Sequence, residues 1–222
     1  DHVEIATTTT GIAYAGAVVA FMENDIKTDA VSIVDNCHVS GNINVTTSNK
    51  TAMVGGLVGM SNQRAAITSS GSSATVSVDA GTAIGNVGGL IGMISAKALI
   101  MNNYSLGEVS LTTTNSNANV GGIAGTITGI AYNNYVSGTA SGVKNAGGIA
   151  GNLSAAAYLT NCYYTQDTAY GKSSGKVDEQ TVVQKSDVKA QEITALLSNG
   201  LSKASLNEAT TKVLAAGVTD CT

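Results

Sequence analysis

The stretch Val54-Gly55-Gly56-Leu57-Val58-Gly59 recurs along the chain with small changes. Its later copies are Val87-Gly88-Gly89-Leu90-Ile91-Gly92, Val120-Gly121-Gly122-Ile123-Ala124-Gly125 and Ala146-Gly147-Gly148-Ile149-Ala150-Gly151, with a weaker one at Ala15-Gly16-Ala17-Val18-Val19-Ala20. The copies begin at residues 15, 54, 87, 120 and 146, which defines five successive units. Self-similarity at a period of roughly 20 to 50 residues is typical of solenoids and related repeat folds.

A second element recurs in register with the first: an apolar residue, any residue and then a pair rich in Asn. Its copies are Val34-x-Asn36-Cys37, Ile67-x-Ser69-Ser70, Ile100-x-Asn102-Asn103, Ala131-x-Asn133-Asn134 and Leu159-x-Asn161-Cys162. Equivalent positions of stacked units lie above one another, so an Asn column can pass amide hydrogen bonds along a ladder. The sequence predicts such a ladder, interrupted at Ser69. The Gly pairs are expected where the chain bends tightly or two backbones approach closely.

Alternating apolar positions follow each Asn element, for example Ile43 and Val45, then Val76 and Val78. This alternation predicts about three short strands in each unit, and no helical periodicity interrupts residues 10–170. A unit of this size cannot bury its apolar side alone and must stack on the next copy. The predicted fold class is all-β, a parallel β-helix of about five coils over residues 1–170.

The charged residues predict a second region after the repeats. Residues 36–170 carry three acids and four bases, whereas residues 171–222 carry six of each. We therefore expect a boundary near Gly171, followed by a linker and a partly α-helical cap on the solenoid. The main helical candidate is Ser186 to Asn199, with Ile193, Leu196 and Leu197 on one face; residues 205–216 are a shorter one.

Composition argues against several classes of partner. The 222 residues have a net charge of -4 and no cluster of basic residues, so we expect no nucleic-acid binding. No apolar run reaches the roughly 18 to 20 residues that span a bilayer, so membrane insertion of this segment is not expected. The chain lacks an initiator Met and a signal-peptide pattern, which suggests a mature or excised piece. Cys37, Cys162 and Cys221 show no CxxC spacing, so neither a zinc site nor a disulfide framework is predicted.

Neither a G-x-S-x-G match nor the acids of the repeat region form a catalytic site in the sequence. Gly171-Lys172-Ser173-Ser174-Gly175 matches G-x-S-x-G, but no His follows it to act as a base, and the match is better explained as a flexible linker. The sparse acids Asp79, Glu108 and Asp167 fall in different units and columns, unlike the paired carboxylates of polysaccharide-cleaving enzymes. We predict no catalytic residue, no metal ligand and no cofactor.

Three further features of the sequence are relevant to binding: a column of rings, a pair of aliphatic columns and runs of Thr. The rings of His38, Tyr104, Tyr135 and Tyr163 either face sugars or fill a corner of the core, and the core interpretation is favoured. Leu57, Leu90, Ile123 and Ile149 are each followed by another aliphatic or Ala residue; because adjacent strand residues face opposite sides, one of these two columns is expected to point outward. The Thr runs at 46–47 and 112–114 are expected in variable loops without register, which argues against an ice-binding array.

The two elements together resemble the GLUG-motif repeats of bacterial surface proteins. The match covers residues 10–170 and joins V-G-G-L-V-G to I-x-N-S/N-Y and then G-x-V. Ala17 and Ala20 depart from it in the first unit, and Ser69-Ser70-Gly71 departs from it in the second. Proteins with such repeats include large adhesins and the non-catalytic regions of IgA-cleaving metallopeptidases. The resemblance thus implies an extracellular, cell-surface solenoid within a longer protein, without peptidase activity because no H-E-x-x-H motif is present.

The functional expectation is a non-catalytic module of a bacterial cell-surface or secreted protein. It would serve adhesion or interaction, or act as a rigid stalk. Its candidate partners are host glycans, extracellular-matrix proteins or flanking domains of a longer chain. The alternative is a carbohydrate-binding or carbohydrate-cleaving β-helix. The sequence by itself assigns no ligand-binding residue.

Overall fold

The predicted all-β solenoid is confirmed by a computed structural model, which describes residues 2–7, 11–23, 31–47, 49–177 and 182–184. The described residues form 28 β-strands and no helix. The chain winds through the same five strand positions in each turn, and we number the turns as coils. Coil 1 contains β1 (His2–Thr7), β2 (Ala13–Ala15), β3 (Val19–Met22), β4 (Ser32–Asp35) and β5 (His38–Val39).

The next coils repeat this order along the chain. Coil 2 contains β6 (Asn42–Thr47), β7 (Ala52–Gly55), β8 (Val58–Ser61), β9 (Ala65–Thr68) and β10 (Gly71–Ser72). Coil 3 contains β11 (Thr75–Gly81), β12 (Gly85–Gly88), β13 (Ile91–Ile94), β14 (Leu99–Met101) and β15 (Tyr104–Ser105). Coil 4 contains β16 (Val109–Thr113), β17 (Asn119–Gly121), β18 (Ala124–Ile127), β19 (Ile130–Tyr132) and β20 (Tyr135–Val136).

Coil 5 completes the full turns. It contains β21 (Ala140–Ser141), β22 (Asn145–Gly147), β23 (Ala150–Leu153), β24 (Tyr158–Thr160) and β25 (Cys162–Tyr164). A partial coil 6 adds β26 (Lys172–Ser173), β27 (Lys176–Val177) and β28 (Val182–Gln184). These last strands pair in parallel with β23, β24 and β25, so the solenoid continues past the boundary expected at Gly171 and the Gly171–Gly175 stretch is not a flexible linker. The predicted helical segments at 186–199 and 205–216 lie outside the described residues.

Strands at equivalent positions stack into five parallel sheets. Sheet A is β1-β6-β11-β16-β21, sheet B is β2-β7-β12-β17-β22, sheet C is β3-β8-β13-β18-β23-β26, sheet D is β4-β9-β14-β19-β24-β27, and sheet E is β5-β10-β15-β20-β25-β28. Each coil thus holds five strands, and the prediction of about three was wrong. The sheet E strands of coils 1 to 4 have only two residues each, too few for an alternating pattern to show in the sequence.

The interior of the solenoid is divided into two apolar clusters. Sheets A and B enclose the smaller one, which includes Ile43, Val78 and Val87. Sheets C, D and E enclose the larger one, which includes Ile94 and Ile100. In both clusters the same column of every coil supplies an aliphatic side chain, so the repeat of the sequence becomes a continuous core along the axis.

The bend between sheets D and E is made by the predicted Asn column. Asn36, Asn102, Asn133 and Asn161 all have a left-handed backbone, with φ between 48° and 60°, as does Ser69. Asn tolerates this conformation better than most residues, because its short polar side chain can form local hydrogen bonds. The amide of Asn161 donates to Asn133 at 2.8 Å, and that of Asn133 donates to Asn102 at 2.7 Å. The predicted ladder is confirmed between these coils.

A second, buried ladder runs beside the first. The Asn134 carboxamide oxygen accepts hydrogen bonds from the backbone and side chain of Asn103, both at 3.1 Å. The Asn103 side-chain oxygen accepts a hydrogen bond from the Ser70 backbone N–H at 2.9 Å. The Ser70 hydroxyl in turn accepts one from the Cys37 backbone N–H at 3.1 Å. The side-chain amides of both Asn residues donate to carbonyls of the coil below. Polar groups at the bend are thus satisfied inside the solenoid without water.

The Gly pairs mark a sharp bend between sheets B and C. A Cβ on Gly88 would lie 2.5 Å from Ala124 Cα and closer still to the carbonyl oxygen of Ile91. The last Gly of the motif is also confined from outside, since a Cβ on Gly92 would lie 2.8 Å from the Asn86 carbonyl oxygen in sheet B. The bend therefore folds the outer faces of sheets B and C against each other, as close backbone approach predicts.

Candidate functional site

The described residues contain no group of three His, Cys, Asp or Glu side chains that could hold a metal ion. None of the described segments forms a helix long and apolar enough to cross a membrane. Four regions of the solenoid surface are distinct in composition: the outer face of sheet A, the tyrosine column on sheet E, the seam between sheets B and C, and the outer face of sheet D.

The outer face of sheet A carries short polar side chains in register. One column aligns Asn44, Ser77, Ser110 and Ser141, and the next aligns Thr46, Asp79 and Thr112. All of these side chains are exposed except Ser110, which is half-buried. Thr46 and Thr112 lie on strands β6 and β16, on either side of Asp79 in the same column, so the expectation that they lie in loops without register was wrong. Around Asp79 the face is a regular array of hydroxyl and amide groups.

Two acids share this face but are too far apart to act together. Val78 and Val109 point into the core, so Asp79 and Glu108 both point outward. Because Asp79 pairs with Thr112, Glu108 lies four residues further back on the next strand, which places their Cα atoms about 14 Å apart. Paired carboxylates of glycosidases lie roughly 5 to 9.5 Å apart. Asp167 is exposed in the connection between β25 and β26 and is not on a strand. The geometry does not assemble a glycosidase pair from these three acids.

The tyrosine column occupies the outer side of sheet E. The ring of Tyr104 extends across Gly71 to stack on His38, with ring centroids 5.6 Å apart, and its hydroxyl hydrogen-bonds His38 Nδ1 at 3.0 Å. Any side chain at position 71 would overlap that ring, which explains why the column is interrupted there by Gly. Tyr135 and Tyr163 are buried, and burial raises the pKa of both phenols.

The exposure of the rings differs along the tyrosine column. Tyr163 donates its hydroxyl to Asn161 Oδ1 at 2.8 Å, so it is tied to the Asn ladder. Tyr135 and Tyr163 are buried, but they lie on the outer side of sheet E and belong to neither apolar cluster of the interior, so the expectation that they fill a corner of the core was wrong. His38 is exposed and Tyr104 is half-buried, and these two rings alone present an aromatic surface.

The seam between sheets B and C was not anticipated from the sequence. The outward side chains of the two sheets meet there, beginning with Tyr14 and Phe21, whose ring centroids are 4.9 Å apart. Further along the axis, the Thr126 hydroxyl donates to Asn86 Oδ1 at 2.7 Å, and Asn119 donates to the same oxygen at 2.9 Å. Asn145 then donates to Asn119 Oδ1 at 3.2 Å. The three Asn side chains form a third ladder along sheet B, and the Thr126 hydroxyl ties this ladder to sheet C.

The aliphatic columns after the Gly pairs are both buried, contrary to the prediction that one points outward. Leu57, Leu90, Ile123 and Ile149 are fully buried, and so are the residues that follow them, Val58, Ile91, Ala124 and Ala150. The strand alternation does not apply here because the first residue of each pair lies in the bend, before the sheet C strand begins. Both columns face the larger apolar cluster.

The serine of the G-x-S-x-G match lies in an ordinary strand. Ser173 is on β26 and pairs with Leu153 of sheet C, and the next element is the strand β27 instead of the helix that a nucleophile elbow requires. Its hydroxyl accepts a hydrogen bond from the Gly175 backbone N–H at 3.2 Å. The side chain stabilises a turn between two strands.

The two described cysteines occupy the same corner column, as predicted. Cys37 begins the buried ladder in coil 1, and Cys162 ends it in coil 5, where its sulfur lies 3.7 Å from Asn134 Nδ2. Both thiols are free. Burial raises the pKa of the Cys162 thiol to about 11, so at neutral pH this side chain is a small protonated apolar group. Cys221 lies outside the described residues.

Comparison of the chain with protein-family models, with curated proteins and with solved structures gave no match.

Proposed function

We propose that this chain is a non-catalytic adhesion or interaction module of a bacterial cell-surface or secreted protein, and that the outer face of sheet A is its contact surface. The observation that carries the proposal is the array of exposed Asn, Ser and Thr side chains, which stands in register over successive coils. Hydroxyl and amide groups both donate and accept hydrogen bonds, which suits hydroxyl-rich glycans and the exposed polar groups of matrix proteins.

The scaffold behind this face favours binding without rearrangement. Three side-chain ladders fix the bends between sheets, and the strands of sheet A have their inward side chains buried in the smaller apolar cluster. Short side chains such as Ser77 and Thr112 lose little rotamer entropy when they bind. A preorganised surface of this kind loses less binding free energy, because few of its side chains must be ordered when a partner binds.

The location outside the cell is supported by the resemblance of the repeats to GLUG motifs. The Gly positions of that motif have a physical role in this fold, because a Cβ at Gly55, Gly88, Gly121 or Gly147 would collide with backbone atoms of the bend. The pattern is thus required by the solenoid, and it is specific for the architecture. We carry over the surface location as part of the proposal, together with flanking domains as further candidate partners.

A passive role as a rigid stalk is supported by a different observation. The strands stack in the same order from β6 to β21 in sheet A and from β3 to β26 in sheet C, and the register of sheet A shifts at one bulge, between Asp79 and Gly81. At about 4.8 Å per strand, five coils form a stiff column on the order of 24 Å long. In this role the polar face of sheet A would keep the column soluble and would contact no specific partner.

The experiment that separates these roles is a binding screen of the purified chain against glycan and extracellular-matrix arrays. We expect saturable binding that is lost in Ser77→Arg/Thr112→Arg, because two long charged side chains would disrupt the flat face. The matched control is Ala96→Arg/Ala156→Arg, which adds the same charge at exposed turns between sheets C and D. Binding that survives the first pair would place the contact surface elsewhere, and no binding by the unaltered chain would favour the stalk. Release of reducing ends from a polysaccharide panel would support the carbohydrate-cleaving alternative.

A further inference from the structure

The outer face of sheet D is apolar, unlike the outer face of sheet A. Ile67, Ile100 and Ala131 point from this sheet into the larger cluster. Their strand neighbours point the other way and build a separate apolar cluster outside the coil. We define the sheet D patch as Ala66, Leu99, Met101, Ile130, Tyr132 and Tyr158.

The burial of this patch is the informative observation. Ile33, Ala66, Leu99, Ile130 and Tyr158 form one column across coils 1 to 5. Ile33 is 62% exposed, whereas Leu99 is 6% exposed and Ile130 only 3%. Outward side chains of one sheet shield each other's flanks but leave their outer ends open, yet Leu99, Ile130 and Tyr132 are all at most 7% exposed. Exposure as low as that of Ile130 therefore requires a covering layer outside the solenoid.

The chain supplies a segment of the right kind and length. After β28 in sheet E, which lies in the same coil as β27 of sheet D, 38 residues follow Gln184. Ser186 to Asn199 has the spacing of an amphipathic helix, with Ile193, Leu196 and Leu197 on one face. A helix of that length is about 21 Å long, and the patch spans three strand spacings from Ala66 to Tyr158, or about 14 Å.

We propose that the segment after Gln184 turns back along the outside of the solenoid and covers the sheet D patch with the apolar face of Ser186 to Asn199. Three aliphatic side chains of the segment then pack on Leu99, Ile130 and Tyr132. The segment is a strap along the flank, which differs from the cap on the open end that the charge pattern predicts. The exposed Ile33 lies at the coil 1 end of the column, outside the patch that the strap covers.

The test measures whether the patch becomes accessible when the strap is weakened in the intact chain. Hydroxyl-radical footprinting compares the unaltered protein with Leu196→Asp/Leu197→Asp. The control, Gln191→Asp/Ala195→Asp, adds the same charge to the opposite helical face. We expect a severalfold rise in the oxidation of Met101, Tyr132 and Tyr158 in the first variant alone. Met93 in the seam should react at an unchanged rate. Equal rates in all three proteins would overturn the proposal.

A reciprocal change keeps the test decisive if the first variant folds poorly. Leu99→Asp disrupts the patch from the solenoid side and should speed tryptic cleavage after Lys189 severalfold, whereas Ser77→Asp on sheet A should not. Unchanged cleavage in Leu99→Asp would show that the strap does not lie on the patch. A second copy of the chain could also cover the patch. Footprinting at increasing dilution distinguishes this case, since protection that disappears on dilution would mean that a second copy covers the patch and would overturn the proposal.

Discussion

Asn133 donates its side-chain amide to Asn102 Oδ1 at 2.7 Å while its own backbone has φ of 52°. The residue therefore does two things at the bend between sheets D and E: it adopts a left-handed backbone and links two coils. Either requirement favours Asn, and together they explain why the same residue type recurs at this corner.

These two contributions can be separated by two substitutions at the same position. Asn133→Gly removes the side chain but accepts positive φ, whereas Asn133→Ala removes the side chain and strains the backbone. We expect Asn133→Ala to be less stable than Asn133→Gly by about 1 kcal/mol. Urea unfolding followed by circular dichroism measures the difference. Equal midpoints would mean that the backbone conformation contributes little at this corner.

The second ladder should also contribute to stability. Asn134 is fully buried, and its replacement by Ala would leave the Asn103 backbone N–H without its partner and remove the hydrogen bonds of the carboxamide to the Asn103 side chain and the Ile100 carbonyl. A buried unsatisfied polar group costs about 1 to 3 kcal/mol, so we expect a loss of at least about 2 kcal/mol in the free energy of unfolding. Asn117→Ala is the control, because that side chain is exposed. A similar small loss in both variants would contradict a structural role for the ladder.

The Gly pair at the bend between sheets B and C gives a prediction with a sharp internal control. A Cβ at Gly88 would lie 2.5 Å from Ala124 Cα and 2.5 Å from the Ile123 carbonyl oxygen, and neither backbone atom can move without shifting a whole coil. Gly11 has no atom within 4 Å of its ideal Cβ position. We expect Gly88→Ala to cost about 3 kcal/mol or more by overpacking, and Gly11→Ala to cost less than about 0.5 kcal/mol.

Thermal unfolding of the two variants checks this prediction. Gly88→Ala should lower the midpoint or yield insoluble protein, while Gly11→Ala should unfold like the unaltered chain. Near-equal midpoints would show that the bend has room that the geometry does not indicate.

The fold was predictable because the pattern that encodes it recurs in every coil. The Gly pairs allow a close approach of two backbones, and the Asn corner allows a left-handed bend. Five copies of both in register leave few alternatives to a stacked solenoid. The number of strands was not predictable, because two-residue strands such as Tyr104–Ser105 carry no alternating pattern. The burial of both Leu57 and Val58 was missed for a related reason, since the bend places the first of them outside the strand.

The surfaces were harder to predict than the coils. The seam brings together residues of different strand positions and different coils, such as Asn86 and Thr126, and no periodicity links them. The Thr runs at 46–47 and 112–114 look like loop residues in the sequence, because the sequence does not show where the strands of sheet A end. The outer face of sheet D resembles a core strand in the sequence, since Leu99, Ile100 and Met101 form an unbroken apolar run.

Cys162 gives a prediction for alkaline pH. Burial raises the pKa of its thiol from 9.0 to about 11, so the folded state holds this proton more tightly than the unfolded state. The stability that depends on the protonated thiol is fully present below about pH 9 and is lost as the pH rises through about 11, where the loss reaches roughly 2 to 3 kcal/mol. Burial also raises the pKa of Tyr135, Tyr163 and Tyr164, which acts in the same direction, so a comparison of variants is needed.

The comparison is between Cys162→Ser and Cys37→Ser, measured by urea unfolding from pH 7 to 11. Serine does not titrate in this range, so Cys162→Ser should lose less stability than the unaltered chain between pH 9 and 11, although it starts lower because a hydroxyl replaces a buried thiol. Cys37→Ser makes the same substitution at the other described cysteine, which is only partly buried, and controls for the exchange itself. Parallel pH profiles for all three proteins would mean that the Cys162 thiol ionises as easily in the folded state as in the unfolded one.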